Sequence, residues 1–214
     1  MRRMAALLGS CAALLAFAAG SALGAQEPVV AVRVVAAGGA SVENAVVALR
    51  PKFPVLSSDA GERSPLVMSQ HDLSFDPHVL VAPVGSDVAF PNRDEVRHHV
   101  YSFSDAKTFE LRLYGGEAEH VVLFDKPGVV PLGCNIHDDM IAFIYVADTP
   151  FAATTDAEGF ARFDAAPPGD YELVVWHERL RGEEELIRPF ALGAQGAEET
   201  VTIELRRPRR RDGY

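Results

Sequence analysis

The chain has 214 residues, and its 30 acidic residues against 20 Lys and Arg leave a formal net charge of -10. This negative charge argues against nucleic acid as a general partner, because a phosphate backbone would repel it. The length suits one large or two small domains, and a hydrophobic share of 48% with 23% charged residues is typical of a globular protein.

Residues 1–25 have the pattern of a secretory signal peptide. A cationic start, MRRM, precedes the apolar run AALLGSCAALLAFAAG, and SALGA provides small residues for cleavage. We expect export to the periplasm and no transmembrane span after cleavage, with a retained membrane anchor as the alternative. Cleavage removes Arg2, Arg3 and Cys11, so the net charge changes from -10 to -12 and Cys134 becomes the single cysteine. An unpaired thiol in an oxidising compartment is a liability unless a metal occupies it.

The next segments predict strands separated by turns, which is the pattern of an all-β protein. Residues 29–51 predict a strand, a Gly turn and a second strand, and residues 52–65, rich in Ser, Pro and charge, predict a loop joining two bodies. In residues 104–116 a helical turn competes with a strand. Short apolar runs predict further strands at 79–85, 87–92, 98–104, 120–125, 129–133 and 140–146.

The C-terminal part has the same character. Residues 154–177 predict a turn, a strand, a second turn and a strand whose alternation places Trp176 on the face opposite Tyr171. Residues 201–205 would close this sheet. The basic run 206–214 predicts a disordered tail, with contact to an acidic partner or an anionic lipid as the alternative.

A C-x2-H-x2-M pattern places Cys134, His137 and Met140 between two predicted strands. A thiolate and two imidazoles in a trigonal arrangement, with a weak axial thioether, form a blue-copper electron-transfer site. The second imidazole has to come from elsewhere, and the stretch FPNRDEVRHHVYSF offers His98 and His99 at the start of a strand. The His-x-Val start favours His98, with His99 as the fallback. A backbone N–H of the neighbouring residue would then donate to the Cys134 sulfur.

Other interpretations of the same residues remain open. Cys134 and Met140 also suit a metal-free apolar core with His137 at the surface. One Cys, two His and a thioether is not a usual zinc set, and nothing in the sequence offers the oxyanion hole or orienting Asn that a catalytic Cys–His pair needs. Four histidines are expected to be surface or hydrogen-bonded side chains, namely His71, His78, His120 and His177.

Residues 66–147 resemble the plastocyanin-like cupredoxins, in particular the small exported proteins of the methylamine-utilisation type. PNRDEVRHHV looks like the family's Asn…His-Asn-Val strand, and KPGVVPLGCNIHDDM looks like its Pro-Gly…Cys…His…Met hairpin with the spacing of amicyanin. The resemblance implies a Greek-key β-sandwich that binds one type 1 copper through His98, Cys134, His137 and Met140. Position 99 departs from the family, since His replaces the usual Asn whose side chain ties the two ligand loops together.

A second resemblance concerns the flanking segments. VVAAGGASVENAVVAL and TDAEGFARF…PPGDYELVVW look like the two halves of a transthyretin-like, carboxypeptidase-regulatory-like sandwich. We therefore expect a second small β-sandwich built from residues 28–51 and 150–205, with the cupredoxin domain inserted into it. Modules of this kind usually hold, dock or present other structures rather than catalyse.

These patterns together predict an exported copper protein that is not an enzyme. It would pass single electrons between protein redox partners and would have neither a small-molecule substrate nor a nucleic-acid partner. The alternatives are a periplasmic copper carrier and a metal-free exported interaction module. Asp138 and Asp139, next to the predicted ligands, are either solvated turn residues or charges that favour Cu(II) and attract a cationic partner.

Overall fold

The computed structural model describes residues 29–55, 64–116, 120–164 and 166–208. These residues form strands and turns without a helix, so the predicted all-β fold is confirmed. In the described ranges there is accordingly no helix with the length and apolar character that crossing a membrane requires. The predicted signal peptide 1–25, residues 56–63 of the linker and residues 209–214 of the tail lie outside the described residues.

The strands are, in chain order, β1 (Val30–Ala36), β2 (Val46–Pro51), β3 (Leu66–Val67), β4 (Ser69–His71), β5 (Ser74–Asp76), β6 (Val79–Pro83), β7 (Ser86–Ala89), β8 (His98–Phe103), β9 (Thr108–Tyr114), β10 (Val121–Phe124), β11 (Gly128–Cys134), β12 (His137–Ala147), β13 (Ala152–Thr154), β14 (Phe160–Phe163), β15 (Gly169–Trp176), β16 (Leu186–Leu192) and β17 (Ala197–Ile203).

Strands from both ends of the described chain share one core. β14, β1 and β17 form a three-stranded sheet, and β13, β2, β15 and β16 form a four-stranded sheet. Alternate residues of β1 are buried, so Val30, Val32 and Val34 enter the same apolar cluster as Leu49 and Leu173 of the other sheet. This body is therefore two sheets packed face to face.

Both strand partners of β1 come from far along the chain. β1 pairs antiparallel with β14, with Val30 opposite Phe163, and parallel with β17, with Val30 opposite Ala197. The two segments that build this body are thus separated by the strands β3 to β12. A domain inserted into a host sandwich requires such pairing, and the division into two domains itself stays a prediction.

The strands between residues 66 and 147 form a second body. Its larger sheet has the order β6-β12-β11-β8-β9, its smaller sheet has the order β10-β7-β3, and β4 with β5 forms a hairpin. Its core combines residues from several of these strands with Cys134 and Met140, and includes Phe90, Val100, Phe124, Leu132 and Ile144. The predicted metal-ligating sulfurs therefore lie in the core of this body.

The two bodies contact each other through β12 and β15. The indole of Trp176 packs 5.3 Å from the ring of Phe143 and 6.1 Å from that of Tyr145, measured between ring centroids. Beside them the Tyr145 hydroxyl donates to Glu185 at 2.6 Å, and Arg50 forms an ion pair with the same carboxylate. Burial and the neighbouring carboxylate raise the pKa of Tyr145, so its phenol stays protonated. Trp176 lies on the face of β15 opposite Tyr171, as the alternation predicts, and it belongs to a separate cluster with Val79 and Tyr145 rather than to the core of its own body.

The fold resolves the ambiguous stretch 104–116 as a strand. Thr108–Tyr114 pairs antiparallel with β8, and this pairing favours the extended form over a helical turn. The sequence missed the short strands β3, β4, β5 and β13, and it also missed β16. β16 contains Pro189, which is tolerated there because β16 is an edge strand of its sheet.

Candidate metal centre

Cys134 and His137 lie at the two ends of a tight hairpin turn. Cys134 ends β11, His137 begins β12, and the two residues are opposite each other in the strand pairing. We expected the second strand to begin at Met140, but the pairing extends three residues further toward the turn. An irregularity between Gly133 and Cys134 shifts the register there, and a bulge of this kind re-aims the side chain that follows it.

His98 reaches the cysteine from the neighbouring strand. β8 pairs with β11, which places Val100 opposite Cys134 and brings the start of β8 beside the turn. The Cys134 Sγ lies 3.8 Å from His98 Nδ1 and 3.6 Å from His137 Nδ1, and the two imidazole centroids are 5.0 Å apart. The three donor atoms lie within 4.8 Å of one another. The structure thus brings together three of the four predicted ligands, His98, Cys134 and His137.

The separations of the donor atoms suit a single metal ion. First-row metals bind thiolate sulfur at about 2.3 Å and imidazole nitrogen at about 2.0 Å. Bond angles between tetrahedral and trigonal then place the sulfur about 3.5 to 3.7 Å from each nitrogen. The observed 3.8 and 3.6 Å lie close to this range. Cys134 is a free, buried thiol, so the residues present fit a bound metal.

Met140, the predicted axial ligand, lies in the same buried cluster as Cys134 and is 1% exposed. It follows His137 by three residues on β12, and this strand carries it into the core of the second body. Its position therefore places a thioether in the buried surroundings of the thiol. Its role as a ligand stays a prediction.

His98 and His99 have different environments. Consecutive residues of a strand point to opposite faces, and the His98 ring is fully buried next to the thiol. The His99 ring instead pairs with Glu110 of β9, with Nε2 and Oε1 2.8 Å apart. Within the described residues His98 is therefore the histidine that joins Cys134 and His137, and His99 is not.

The two ligand segments are tied together by the backbone rather than by the side chain of residue 99. The N–H of Asn135 donates to the carbonyl of His99 at 3.1 Å. In the described part of the chain, the contacts of the Cys134 sulfur are with the two imidazoles, not with the expected backbone N–H. The start of β8 is thus connected to the turn without a hydrogen bond from the side chain of His99.

Asp94 belongs to the site although the sequence did not single it out. Its Oδ2 lies 2.7 Å from His98 Nε2, and its carboxylate accepts backbone N–H groups from Asp72 at 2.7 Å and Leu73 at 3.1 Å. Burial by itself would raise the pKa of Asp94, but these hydrogen bonds hold it below its ordinary value. The one signal in the sequence was a carboxylate four residues before a candidate ligand, which is common by chance.

Asn92 holds the loop that carries Asp94. Its side-chain amide donates to the carbonyls of Val96 and Tyr114 at 2.9 and 3.1 Å, and its oxygen accepts the N–H of Asp94 at 2.9 Å. A buried side-chain amide with three backbone bonds fixes the loop conformation, because each lost bond would leave a polar group without a partner. This explains how residues outside a strand can present Asp94 reproducibly to His98.

Tyr114 and Gln70 form a polar group in the core near the thiol. The Tyr114 hydroxyl donates to the carbonyl of Phe90 at 2.8 Å and accepts a hydrogen bond from the Gln70 amide. Burial raises the pKa of Tyr114 to about 12, with a further increase from the charge of Cys134, while the Gln70 bond acts in the opposite direction. The Gln70 Oε1 is buried without a hydrogen-bond partner among the described residues.

The surface next to the turn is apolar with an acidic rim. Ile136 in the turn and Ile141 on β12 are exposed, as are Asp138 and Asp139 between them. A shallow groove runs alongside, lined in part by Phe103 of β8. The predicted ligand His137 is itself partly exposed at this surface, whereas His98 is inaccessible.

The four remaining histidines have other partners. Among the described residues they do not take part in the His98–Cys134–His137 group. His71 pairs with Asp72, His78 with Glu178, His120 packs on the Tyr114 ring and His177 accepts the N–H of Arg179.

No protein-family model and no curated protein matches the chain. Among solved structures, the copper-containing nitrite reductase of Thermus scotoductus SA-01 is similar with 27% identity and a TM-score of 0.40 over 45% of this chain and 25% of that chain. A Cu(I) form of an amicyanin variant is similar with 17% identity and a TM-score of 0.36, over 47% of this chain and 98% of that chain. A purple cupredoxin from Nitrosopumilus maritimus has 20% identity and a TM-score of 0.35, over 40% and 100%. The matched part of this chain spans a quarter of the nitrite reductase.

Proposed function

We propose that this protein is an exported type 1 copper protein of the plastocyanin-like cupredoxin kind, and that it carries single electrons between redox partners. One observation carries the proposal, namely the approach of two imidazole nitrogens to 3.8 and 3.6 Å of one buried cysteine sulfur. Bound copper would supply a one-electron Cu(II)/Cu(I) couple. The protein would have no substrate of its own, so we propose no enzymatic activity.

Each ligand would have a separate task. Cys134 would bind as a thiolate, giving up its proton when the metal binds. His98 and His137 would complete the trigonal plane, and the Met140 thioether would be the weak axial donor. Because His98 and Met140 are buried, packing restricts their movement and excludes water. A donor set that moves little on electron transfer is what a fast electron carrier needs.

The donor set favours copper over zinc and over cysteine catalysis. Soft sulfur suits Cu(I) and imidazole also suits Cu(II), whereas a thioether is not a usual zinc ligand. A catalytic thiol needs access to its substrate, but Cys134 is 5% exposed and its sulfur faces two imidazoles. These features support a redox centre in which the partner exchanges electrons without touching the sulfur.

A protein redox partner would dock at the apolar surface beside His137. Ile136 and Ile141 would form the apolar part of this contact, and the partly exposed ring of His137 would provide a short path for the electron. Asp138 and Asp139 would then attract a cationic rim on the partner. Their negative charge would also favour Cu(II) and lower the reduction potential.

We further propose that residues 1–25 direct the protein to the periplasm and that the chain has no transmembrane span after their removal. The body built from β1, β2 and β13 to β17 would be a transthyretin-like, carboxypeptidase-regulatory-like sandwich that carries the copper-binding body. The pairing of β1 with β14 and β17 supports this arrangement. Such a module would position the copper centre relative to a partner or a surface.

The test is copper binding by the mature chain and by a matched pair of variants at neighbouring histidines. Wild-type protein with Cu(II) should show intense absorption near 600 nm, expected for thiolate-to-copper charge transfer, and a reversible one-electron couple in voltammetry. His98→Ala should lose the absorption band. His99→Ala should retain it, because the His99 ring faces Glu110 and not the thiol.

Each alternative has its own outcome. Copper that exchanges with chelators but shows no usable redox couple would identify a copper carrier instead of an electron carrier. A protein that folds and does not bind copper would leave a metal-free interaction module. Retention of the band in His98→Ala, with loss of the band in His99→Ala, would show that His99 and not His98 is the ligand.

A further inference from the structure

Three N–H groups converge on the two carboxylate oxygens of Asp94. His98 Nε2 lies 2.7 Å from Oδ2, the Leu73 N–H donates to the same oxygen at 3.1 Å, and the Asp72 N–H donates to Oδ1 at 2.7 Å. The His98 ring is fully buried and the Asp94 side chain is 11% exposed. The carboxylate is therefore enclosed by donors on the side away from the thiol.

This arrangement determines which nitrogen of His98 carries the proton. An ionised carboxylate only accepts hydrogen bonds, so the 2.7 Å contact requires a proton on Nε2. The neutral ring then has its lone pair on Nδ1, which is the nitrogen 3.8 Å from the Cys134 sulfur. An Asn at position 94 would lose the charge and at least one of these contacts, because in either orientation its NH2 group would face at least one of the three N–H donors.

The backbone that supplies two of these donors is itself unusual. Asp72 and Leu73 form the turn between β4 and β5 with φ values of 52° and 57°, both in the left-handed region. A residue other than Gly costs roughly 1 to 2 kcal/mol in that conformation. Both N–H groups of the turn bind Asp94, so the carboxylate stabilises the hairpin and the hairpin fixes the carboxylate. The turn at Asp72 and Leu73 therefore holds the Asp94 carboxylate in place against His98.

We propose that Asp94 is a positioning residue for the copper centre, which holds His98 with Nδ1 toward the metal and whose negative charge favours Cu(II) over Cu(I). This inference rests on the proposed function. Carboxylate partners of metal-bound histidines fix the tautomer, orient the ring and make the imidazole a stronger donor. At a buried site the charge is poorly screened, so its effect on the oxidised form is larger than that of a surface carboxylate.

The chain contains a matched control for this effect. The adjacent His99 pairs with Glu110 in the same way, with Nε2 and Oε1 2.8 Å apart. The Glu110 side chain is 44% exposed, and His99 does not belong to the donor group. Glu110→Gln removes the same unit of charge beside the neighbouring histidine without touching the proposed ligand set.

The experiment compares Asp94→Asn, Asp94→Glu and Glu110→Gln with the wild type. Loss of a residue that supports a metal ligand typically lowers metal affinity about 10- to 100-fold. If that loss falls on Cu(II) and spares Cu(I), the reduction potential rises by about 60 to 120 mV, at about 59 mV per tenfold for one electron. Voltammetry and chelator competition for Cu(II) and Cu(I) measure both quantities. Asp94→Glu keeps the charge and should stay near the wild type, and Glu110→Gln should change little.

A second measurement does not need copper. Nitrogen-15 NMR of the metal-free protein, with the thiol reduced, should show His98 protonated on Nε2 in the wild type and a smaller share of this tautomer in Asp94→Asn, because a neutral amide is a weaker acceptor than a carboxylate. Equal potentials in Asp94→Asn and wild type, or the same shift in Glu110→Gln, would overturn the role of the charge. A wild-type His98 protonated on Nδ1 would overturn the positioning role.

The two proposals fail in different ways. A wild type that does not bind copper ends the proposed function and with it the redox part of this inference, while the NMR result still decides whether Asp94 sets the tautomer. If Asp94→Asn does not fold, the His98 tautomer in the wild type decides the positioning role, and the reduction potential of Asp94→Ser, which also removes the charge, decides the role of the charge.

Discussion

Replacement of Gly133 by Ala should destabilise the protein through a steric conflict with Tyr101. An added Cβ would lie 2.9 Å from Cζ and from the hydroxyl oxygen of Tyr101, whereas ordinary contact begins at 3.4 Å. The ring would have to withdraw by about 0.5 Å, the difference between these two distances. Overpacking of this kind costs about 1 to 3 kcal/mol. The Tyr101 ring is partly exposed and can move outward, so we expect the lower half of this range.

Gly133→Ala also has a stabilising effect through the unfolded chain, which has to be separated from the steric conflict. Loss of backbone freedom in the unfolded state stabilises an Ala variant by about 0.4 to 1 kcal/mol. A double-mutant cycle with Tyr101→Val cancels that contribution, because it is present with and without the ring. The remaining coupling between the two sites should be about 1 kcal/mol or more. Gly133→Ala should therefore cost less stability in the Tyr101→Val background than in the wild type.

The assay is urea unfolding of the metal-free, thiol-reduced protein, with the free energy of unfolding taken by linear extrapolation. Unchanged urea dependence among the four proteins would show that the unfolded state has not altered. Additive effects of Gly133→Ala and Tyr101→Val, within about 0.3 kcal/mol, would refute the steric argument. Because Gly133 precedes Cys134, the same strain should shift the visible absorption of the copper form in Gly133→Ala and not in the double variant.

Two further predictions concern the contact between the bodies. Trp176→Ala should lower the free energy of unfolding by about 3 to 5 kcal/mol, since it empties a buried site between Phe143 and Tyr145. Trp176→Phe should lower it clearly less in the same urea experiment. Equal losses of stability in the two variants would argue against a packed contact. His177 is held neutral because burial lowers its pKa, with Arg179 adding to this effect, so the folded state takes up its proton less readily than the unfolded state. Stability should then be complete above the unfolded pKa near 6.5 and should fall as the pH drops below it. His177→Asn, which keeps an acceptor for the N–H of Arg179, should flatten this decrease, and an unchanged pH profile would show that another group causes it.

Much of the fold could be predicted because most of its strands show a local pattern of apolar residues. The alternation along β1 and the apolar runs of β6, β8 and β12 identify buried faces without any knowledge of partners. The same pattern did not identify strands whose side chains are only partly buried. β16 carries Pro189 and exposes the apolar Ile187 on its outer face, so only its pairing with β15 makes it a strand.

The sequence also predicted three side chains that the structure brings together, His98, Cys134 and His137, in a group that could hold a metal ion. A single cysteine with a His and a Met at three-residue spacings restricts the metals that the site could bind. These three residues lie in one hairpin, so their closeness could be predicted from their spacing. The sequence favoured His98 with His99 as the fallback, and the strand register separates the two, since neighbouring residues face opposite sides of the sheet. The position of Cys134 opposite Val100 and the pairing of His99 with Glu110 place His98 beside the thiol.

The sequence by itself determined the all-β class and the donor atoms of the candidate site, because both depend on residue types at short spacings along the chain. Only the tertiary structure decided that Asp94 supports His98. This contact requires a turn at Asp72 and Leu73, a loop held by Asn92 and the start of β8 to meet at one point. Hydrogen bonds among segments so far apart in the chain leave no periodic signal, since they depend on the direction in which each folded segment presents its N–H groups.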